Sequence, residues 1–171
     1  MPYTLITIIF FIGVYIVLYN RLINAKQNAH EAFAGIDVQL KRRYDLIPNL
    51  IQTVKGYASH EEQLFSHIAE SRAQALSITK ENVQQKEGIE KDIDISLKSL
   101  FAIAEAYPEL KANEQYLKLQ QQLAETEDQI ASARRIYNSN VTDYNTHLHS
   151  FPTNIVAVLH AFKPLPLFQN T

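Results

Sequence analysis

The chain begins with an apolar segment that contains no charged residue, from Tyr3 to Tyr19. A transmembrane helix needs roughly 17–25 such residues, and tyrosine rings at both ends favour the membrane–water interface. The pattern therefore predicts a transmembrane anchor over residues 1–20. A cleaved signal peptide would need a basic start and small residues before the cleavage site. A buried core helix would place an all-round apolar helix at the very N-terminus, so both fit less well.

Basic residues follow the apolar segment and do not precede it. Arg21 and Lys26 come directly after Tyr19. Because basic residues favour the cytoplasmic side of a membrane, we expect a single-pass membrane protein with the bulk of the chain in the cytoplasm.

Beyond the anchor, apolar residues recur every three or four positions, the period of an amphipathic helix. The first helix carries Leu22, Ala25, Ala29, Phe33, Ile36, Leu40 and Ile47. Arg43 continues the seven-residue series 22, 29, 36 and so falls on or beside this apolar stripe. Because proline favours the first turn of a helix, the first helix is expected to end at Pro48 and a second to begin there.

The second helix is expected to run to Thr79–Asn82. Its apolar positions are Ile47, Leu50, Ile51, Val54, Tyr57, Leu64, Ile68 and Leu76. Gly56 is a weak point, and Ser59 with Glu62 matches a capping box. A restart at residues 56–59 is therefore the alternative to a continuous helix.

A third helix is expected from Gly88 to Pro108 and a fourth from Tyr116 to Phe151. The third carries Ile89, Ile93, Leu97, Leu100, Phe101, Ala104 and Tyr107. The fourth carries Tyr116, Leu123, Ile130, Tyr137, Tyr144 and Phe151 at a spacing of seven, which is typical of left-handed, coiled-coil-like packing. The polar residues Thr126, Glu127, Arg134 and Asn140 are expected at the solvated edge of that stripe.

These elements predict an all-α fold in which the N-terminal transmembrane helix continues into an antiparallel, up-down-up-down four-helix bundle over residues 21–150. Residues 151–171 predict a short apolar helix, from about Ile155 to Phe162, and a proline-containing tail. The topology returns this tail to the membrane-proximal end. There it is either a cap on the bundle or an interfacial or partner-binding element.

Composition excludes several functions. The net charge of −2 disfavours nucleic acid as a partner, and the absence of Cys removes disulfides, thiolate nucleophiles and cysteine metal sites. His60-Glu61 begins a zinc-protease motif, but Leu64 stands where the second His is needed. No two glycines are close enough for a phosphate-binding loop. We therefore expect no catalytic site, no cofactor and no metal.

The basic run Lys41–Arg43 is the strongest local charge. At ~1.5 Å per helical residue it lies roughly 30 Å beyond the anchor, which is several Debye lengths of about 8 Å each. We expect it to form ion pairs with neighbouring helices or to contact a protein partner, rather than lipid.

Several blocks of sequence resemble the signature of the bacterial LemA family. They are Ile36–Leu50 (IDVQLKRRYDLIPNL), Thr53–Tyr57 (TVKGY), Ala104–Asn113 (AEAYPELKAN), Ala133–Asn138 (ARRIYN), Tyr144–Asn145 and Phe151–Pro152. The resemblance runs from about Asn20 to Phe168. It implies an N-terminal anchor, a bundle of long helices, a cytoplasmic body and no established catalytic activity. Some family members are encoded near membrane peptidases, and one branch resembles proteins that organise intracellular membrane organelles.

The first functional hypothesis is a non-enzymatic, membrane-anchored scaffold, accessory to a membrane protease or signalling complex. Its partners would be the lipid bilayer, through residues 3–19, and a protein such as a membrane peptidase. The signature polar residues are either its interaction site or a structural network, and they are Asp37, Lys41, Arg42, Arg43, Asp45, Asn49, Arg134, Arg135 and Asn138. The alternative is a sensor that binds a small molecule or ion in a bundle cleft near Glu127, Arg134 and Asn140.

Overall fold

The computed structural model describes residues 2–78 and 83–168 and is all-α in those ranges, which confirms the predicted fold class. The helices are α1 (Pro2–Lys55), α2 (Glu62–Ser77), α3 (Val83–Ala104), α4 (Pro108–Lys111), α5 (Glu114–His149) and α6 (Thr153–Leu159). The antiparallel four-helix arrangement and the limits 1–20, 21–150 and 151–171 stay predictions.

The chain divides into two compact units. Unit 1 comprises Met1–Ala34 and Arg134–Leu167, and unit 2 comprises Gly35–Ala133 and Phe168–Thr171. α1 and α5 each contribute residues to both units. Within unit 2, α2 packs against α3.

The first turns of α1 present an apolar surface that the described chain leaves largely uncovered. The side chains from Tyr3 to Val17 are exposed. The segment has the length and composition of a membrane span. The alternative of a buried core helix is therefore wrong. Beyond the apolar segment, the predicted apolar stripe of the first helix is buried at Leu22, Ala29, Phe33, Ile36, Leu40 and Ile47.

α1 continues through Pro48 to Lys55, so the predicted boundary at Pro48 is wrong. A proline inside a helix lacks the N–H that would bond to the carbonyl four residues earlier, which here is Tyr44. Nε of Arg72 donates to that carbonyl oxygen at 2.7 Å. A side chain from α2 thus replaces the missing backbone donor, and the helix is not interrupted.

The chain turns at Gly56 and restarts as α2, so the continuous helix is wrong and the restart is confirmed. The capping box of Ser59 and Glu62 does not form, because Glu61 is the N-cap and makes no side-chain capping bond. The turn also resets the helical register, and the buried face of α2 is Phe65, Ile68, Ser71 and Ala75. The predicted end at Thr79–Asn82 lies outside the described residues.

The third predicted helix begins and ends earlier than expected, and a separate helical turn follows it. α3 begins at Val83, before Gly88, and ends at Ala104. The single turn α4 then starts at Pro108, where proline is tolerated because its missing N–H would have no helical partner. Four of the predicted apolar positions, Ile93, Leu97, Leu100 and Ala104, are buried.

α5 confirms the seven-residue stripe except at its end. Tyr116, Leu123, Ile130, Tyr137 and Tyr144 are buried. Phe151 is 80 % exposed, because α5 ends at His149 and Phe151 lies beyond the helix. Thr126, expected in solvent, is buried, and its hydroxyl donates to the carbonyl of Gln122 at 2.7 Å.

α6 begins before the predicted Ile155 and ends before Phe162. It packs on unit 1 in a cluster that we call the unit 1 core: Leu22, Tyr144, Leu148, Val156 and Ala157. Leu18, Tyr19, Ala25, Phe162 and Leu165 flank that core. α6 ends at Leu159, and Ala161, two residues later, adopts the left-handed conformation with φ of 52°.

Candidate functional site

Arg43 is the centre of the polar structure in unit 2. It occupies an apolar position of α1, and its side chain is fully buried. Its guanidinium donates to the carboxylates of Glu90 and Asp94 on α3 and Glu127 on α5, the last two at 2.5 and 2.7 Å. A buried arginine needs such partners because its charge cannot otherwise leave water.

The α3 side of this network follows from helical spacing. Lys86, Glu90 and Asp94 are four residues apart, so they share one face of the helix. Lys86 pairs with Asp37 of α1, and Glu90 also accepts a hydrogen bond from the hydroxyl of Tyr44. α3 thus presents one basic and two acidic side chains to Asp37, Arg43 and Tyr44 of α1.

We call this group the ion-pair cluster, and its members are Asp37, Arg43, Tyr44, Lys86, Glu90, Asp94 and Glu127. Four carboxylates face two cations. Burial falls outward: the side chain of Glu90 is almost fully buried, whereas that of Glu127 is 44 % exposed. Since solvent screens exposed pairs, the bond from Arg43 to Glu90 is the one whose loss would cost most.

A second polar contact links α2 to α3. The buried hydroxyl of Ser71 donates to Asp92, and His67 Nε2 lies 3.2 Å from the same carboxylate. The hydrogen bond from Ser71 lowers the pKa of Asp92 below its ordinary value, against the opposing effect of burial, and His67 lowers it further. This carboxylate therefore works as an ionised acceptor between the two helices.

The remaining signature residues of α1 point away from the ion-pair cluster. Lys41, Arg42, Asp45 and Asn49 are exposed. Their spacing of three, four and one residues places them, with exposed Val38, along one face of the helix. We call these five residues the α1 outer face. Among the residues that the structure describes, none forms a side-chain hydrogen bond or ion pair with Lys41, Arg42 or Asp45.

The last three signature residues belong to unit 1. Arg134 and Asn138 are half-buried, and Arg135 is exposed. The carbonyl of Asn138 accepts a bond from the Thr142 hydroxyl at 2.8 Å, within α5. The signature set is therefore not one site: Asp37 and Arg43 join the ion-pair cluster, four residues lie on the α1 outer face, and three lie in unit 1.

Unit 1 fixes the chain's tail by hydrogen bonds from α5. Asn145 donates to the carbonyl of Leu165 at 2.9 Å and accepts from its N–H at 3.0 Å. The hydroxyls of Tyr144 and Tyr137 donate to the carbonyls of Lys163 and Pro166, at 3.0 and 2.8 Å. Burial raises the pKa of Tyr144, so it remains a donor.

Catalytic or metal chemistry finds no support in this geometry. Across residues 2–78 and 83–168, no three His, Asp or Glu side chains are arranged to hold a metal ion. The three carboxylates that do converge are occupied by Arg43. The histidines are exposed or half-buried.

A family model for the LemA family matches residues 32–171, which is most of the chain. The chain belongs to the LemA family. The match includes the ion-pair cluster, the α1 outer face and the tail, and it begins after the apolar segment.

Individual relatives agree with this assignment. The chain is 28 % identical to "Protein LemA" of Metamycoplasma hominis, over 96 % of this chain and 75 % of that protein. It is 25 % identical to "Magnetosome protein MamQ 1" of Paramagnetospirillum magneticum, over 99 % of this chain and 71 % of that protein. It is 24 % identical to "Magnetosome protein MamQ" of Magnetospirillum gryphiswaldense, over 97 % and 70 %. LemA and MamQ are not names of enzymes.

Sequence reasoning missed several residues that matter in this member of the LemA family, namely Tyr44, Arg72, Lys86, Glu90 and Asp94. One signal was present. Arg43 stands in an apolar series, and a buried arginine requires a carboxylate. The four-residue spacing of Lys86, Glu90 and Asp94 offers such a row. Arg72 had no comparable signal, because its acceptor is a backbone carbonyl.

Proposed function

We propose that this protein is a membrane-anchored, non-enzymatic scaffold that docks a protein partner, of the class of membrane peptidases or signalling proteins, through the α1 outer face. The observation that carries the proposal is the division of the most specific family block. Asp37 and Arg43 are used internally, whereas Lys41, Arg42 and Asp45 are exposed and unpaired among the described residues. Charges on a rigid helix with no internal role suit a partner that carries complementary charges.

The membrane part of the proposal rests on α1. Tyr3–Tyr19 crosses the bacterial inner membrane once, and the following residues form an antiparallel four-helix bundle in the cytoplasm. Exposed apolar side chains from Tyr3 to Val17 support the crossing, and Arg21 and Lys26 support the orientation. C-terminal reporter fusions test it: green fluorescent protein should be fluorescent and alkaline phosphatase inactive. An active phosphatase would reverse the orientation.

Docking is tested by crosslinking in native membranes followed by affinity capture of the full chain. The variant Lys41→Glu/Asp45→Lys reverses two charges on the α1 outer face and leaves the net charge unchanged. A matched control, Lys118→Glu/Asp128→Lys, makes the same two changes at exposed positions of α5. We expect the wild-type chain and the control to capture the same proteins, and the α1 variant to lose them.

Equal capture by both variants would contradict docking through this face. Thermal unfolding of the three chains in detergent belongs to the same experiment. All four substituted side chains are exposed, so we expect similar midpoints, and a loss of capture would then reflect a lost contact.

A second candidate, a sensor of small polar molecules, is favoured by a groove in unit 1. The groove has a volume of about 550 Å³ and is lined by Val17, Asn20, Arg21, Asn24, Ala25, Asn28, Asn140, Asp143 and His147. Of the residues expected near such a site, Asn140 lines it and Glu127 pairs with Arg43. Thermal-shift screening of polar metabolites tests this candidate. The sensor function requires a compound that raises the unfolding temperature of the wild-type chain but not that of Asn24→Leu.

A further inference from the structure

From Ile155 to Leu159, α6 is apolar on every side, although only one side is covered. Val156 and Ala157 pack into the unit 1 core. On the opposite side Ile155, Val158 and Leu159 are exposed, Val158 by 82 %, and Phe151 stands exposed just before the helix. A helix that is apolar all round is normally buried. The outer side of α6 therefore needs a cover that the described chain does not supply.

The end of α6 lies against the apolar segment of α1. His160 Nε2 is 2.5 Å from the hydroxyl oxygen of Tyr15, and the His160 ring centroid is 4.8 Å from that of Tyr19. Phe162 lies beside Tyr19 at 6.2 Å between centroids, and Lys26 Nζ is 6.0 Å above the Phe162 ring. Amphipathic tyrosine and histidine rings close to a lysine are typical of a membrane–water interface.

We propose that the outer side of α6, with Phe151, inserts into the headgroup–acyl boundary of the same bilayer that α1 crosses. The depth agrees with the contacts. Tyr15 is one helical turn before Tyr19, which is ~6 Å deeper at ~1.5 Å per residue, and interfacial helices bury their apolar face ≈ 5–10 Å. The occupant of this surface is lipid, because the surface adjoins the segment that lipid already surrounds.

This inference rests on the proposed membrane anchoring and adds a second contact with the bilayer. α6 is too short to bind a membrane by itself, but its packing on the unit 1 core holds it beside the anchor. The anchor and the outer side of α6 together fix the rotation of α1 and its tilt relative to the membrane normal, which a single helix leaves free. In this arrangement the tail bonds from Asn145 and Tyr144 position a membrane-binding element.

The absence of cysteine makes a direct test simple. Single cysteines at Val158, Ile9 and Ser139 are labelled with an environment-sensitive fluorophore in the full chain. All three side chains are exposed, so labelling disturbs no packing. The chain is placed in vesicles of phosphatidylethanolamine and phosphatidylglycerol that contain lipids with nitroxide near the headgroup or deep in the acyl chain.

We expect the headgroup-proximal nitroxide to quench the label at Val158→Cys several-fold more than the label at Ser139→Cys, which aqueous iodide should quench instead. The label at Ile9→Cys should be quenched by the deep nitroxide. If nitroxide lipid quenches the label at Ile9→Cys but iodide reaches Val158→Cys as easily as Ser139→Cys, the insertion of α6 is wrong and the proposed membrane anchor is retained. If nitroxide lipid does not quench the label at Ile9→Cys, the anchor and the insertion of α6 are both wrong.

The alternative to lipid is a second copy of the chain that covers the outer side of α6. A label at Val158→Cys that is shielded from iodide, unquenched by nitroxide lipid and able to transfer energy between copies would overturn the inference. An independent variant is Leu159→Glu, which places a charge on the outer side without touching the core. It should increase iodide quenching of a label at Ile155→Cys several-fold, and unchanged quenching counts against insertion.

Discussion

Nε of Arg72 donates to the carbonyl oxygen of Tyr44 at 2.7 Å, in place of the backbone N–H that Pro48 lacks. The contact lets a 54-residue helix pass through a proline. It also places a residue of α2 against α1 within the most specific family block, Ile36–Leu50. The sequence does not predict this contact, because only the fold brings residues 44 and 72 together.

Replacing Arg72 by Ala should destabilise the full chain by about 1 kcal/mol or more, because a part-buried carbonyl loses its donor. In a Pro48→Ala background the helix recovers its own N–H, so the same substitution should cost about 1 kcal/mol less. Urea unfolding in detergent micelles measures both. Arg42→Ala is the control, because Arg42 is exposed on the same helix as Pro48. An equal cost of Arg72→Ala in both backgrounds would show that Pro48 is not the reason for the contact.

Arg43→Met should be among the most damaging single substitutions. It leaves Glu90 buried without its cation, and breaking a buried pair in this way costs about 3–5 kcal/mol. Arg42→Met, one residue away and exposed, should change the unfolding free energy by less than about 0.5 kcal/mol. Unfolding midpoints of the two variants give the comparison, and similar values would contradict the structural role of the ion-pair cluster.

Double-mutant cycles should rank the partners of Arg43 by burial. The coupling to Glu90 should exceed the coupling to Glu127, whose half-exposed carboxylate is screened and is expected to contribute about 1 kcal/mol or less. The cycle uses Glu90→Gln and Glu127→Gln, each with and without Arg43→Met. A larger coupling to Glu127 would mean that the exposed end of the cluster holds the helices together.

The sequence predicted those parts of the fold that depend on local periodicity. The stripes of α1 and α5 repeat over many turns, so a single residue such as Phe151 can be misassigned without losing the helix. Local signals failed where a distant side chain decided the outcome. Pro48 indicates a helix boundary until Arg72 is known, and the restart at Gly56 changed which residues of α2 are buried.

The candidate site was predicted as a set of residues but not as a structure. A shared sequence block does not distinguish Arg43, which is buried, from Arg42, which is exposed, although the two are adjacent. The heptad position of Arg43 was the one local indication of burial. The carboxylates that it binds lie on helices far away in sequence, so their pairing could not be read from spacing alone.

The contact between Ser71 and Asp92 predicts a pH-dependent contribution to stability. The pKa of Asp92 is lower in the folded chain than its ordinary 3.8. The ionised carboxylate therefore stabilises the fold above about pH 4, and this contribution is lost as the pH falls through the lowered value. Ser71→Ala should destabilise by about 1 kcal/mol or less at pH 7, since Asp92 is partly exposed and screened.

The difference between Ser71→Ala and the wild-type chain should shrink as the pH falls below 4. Urea unfolding at a series of pH values measures it. Ser66→Ala, an exposed position of the same helix, provides a control that should show no such trend. A difference that grows in acid would contradict the assignment of Asp92 as the ionised acceptor.

Asn145→Ala should release the tail from α5. The substitution removes one donor and one acceptor that both bind Leu165, so the tail loses about 2 kcal/mol. Amide hydrogen exchange at Leu165 should accelerate about 30-fold, at 1.4 kcal/mol per tenfold change. Asn140→Ala is the control, since Asn140 bonds to the carbonyl of Ile136 within its own helix. Equal exchange in the two variants would assign tail docking to apolar contacts alone.

Ala161→Gly should stabilise the docked α6. Ala161 has φ of 52°, a left-handed conformation that costs an L-residue roughly 1–2 kcal/mol and costs glycine little. The backbone bonds from Phe162 N to Ala157 O at 3.0 Å and from Ala161 N to Val158 O at 3.1 Å form the helix-ending motif in which glycine is usual. Part of the gain is offset by the greater freedom of glycine in the unfolded chain. We expect a net stabilisation of about 0.5–1 kcal/mol, measured as slower amide exchange at Phe162.

The control for Ala161→Gly is Ala102→Gly, at an exposed helical position of α3, which should destabilise the chain by about 1 kcal/mol. If Ala161→Gly also destabilised the chain, the left-handed conformation of Ala161 would be contradicted.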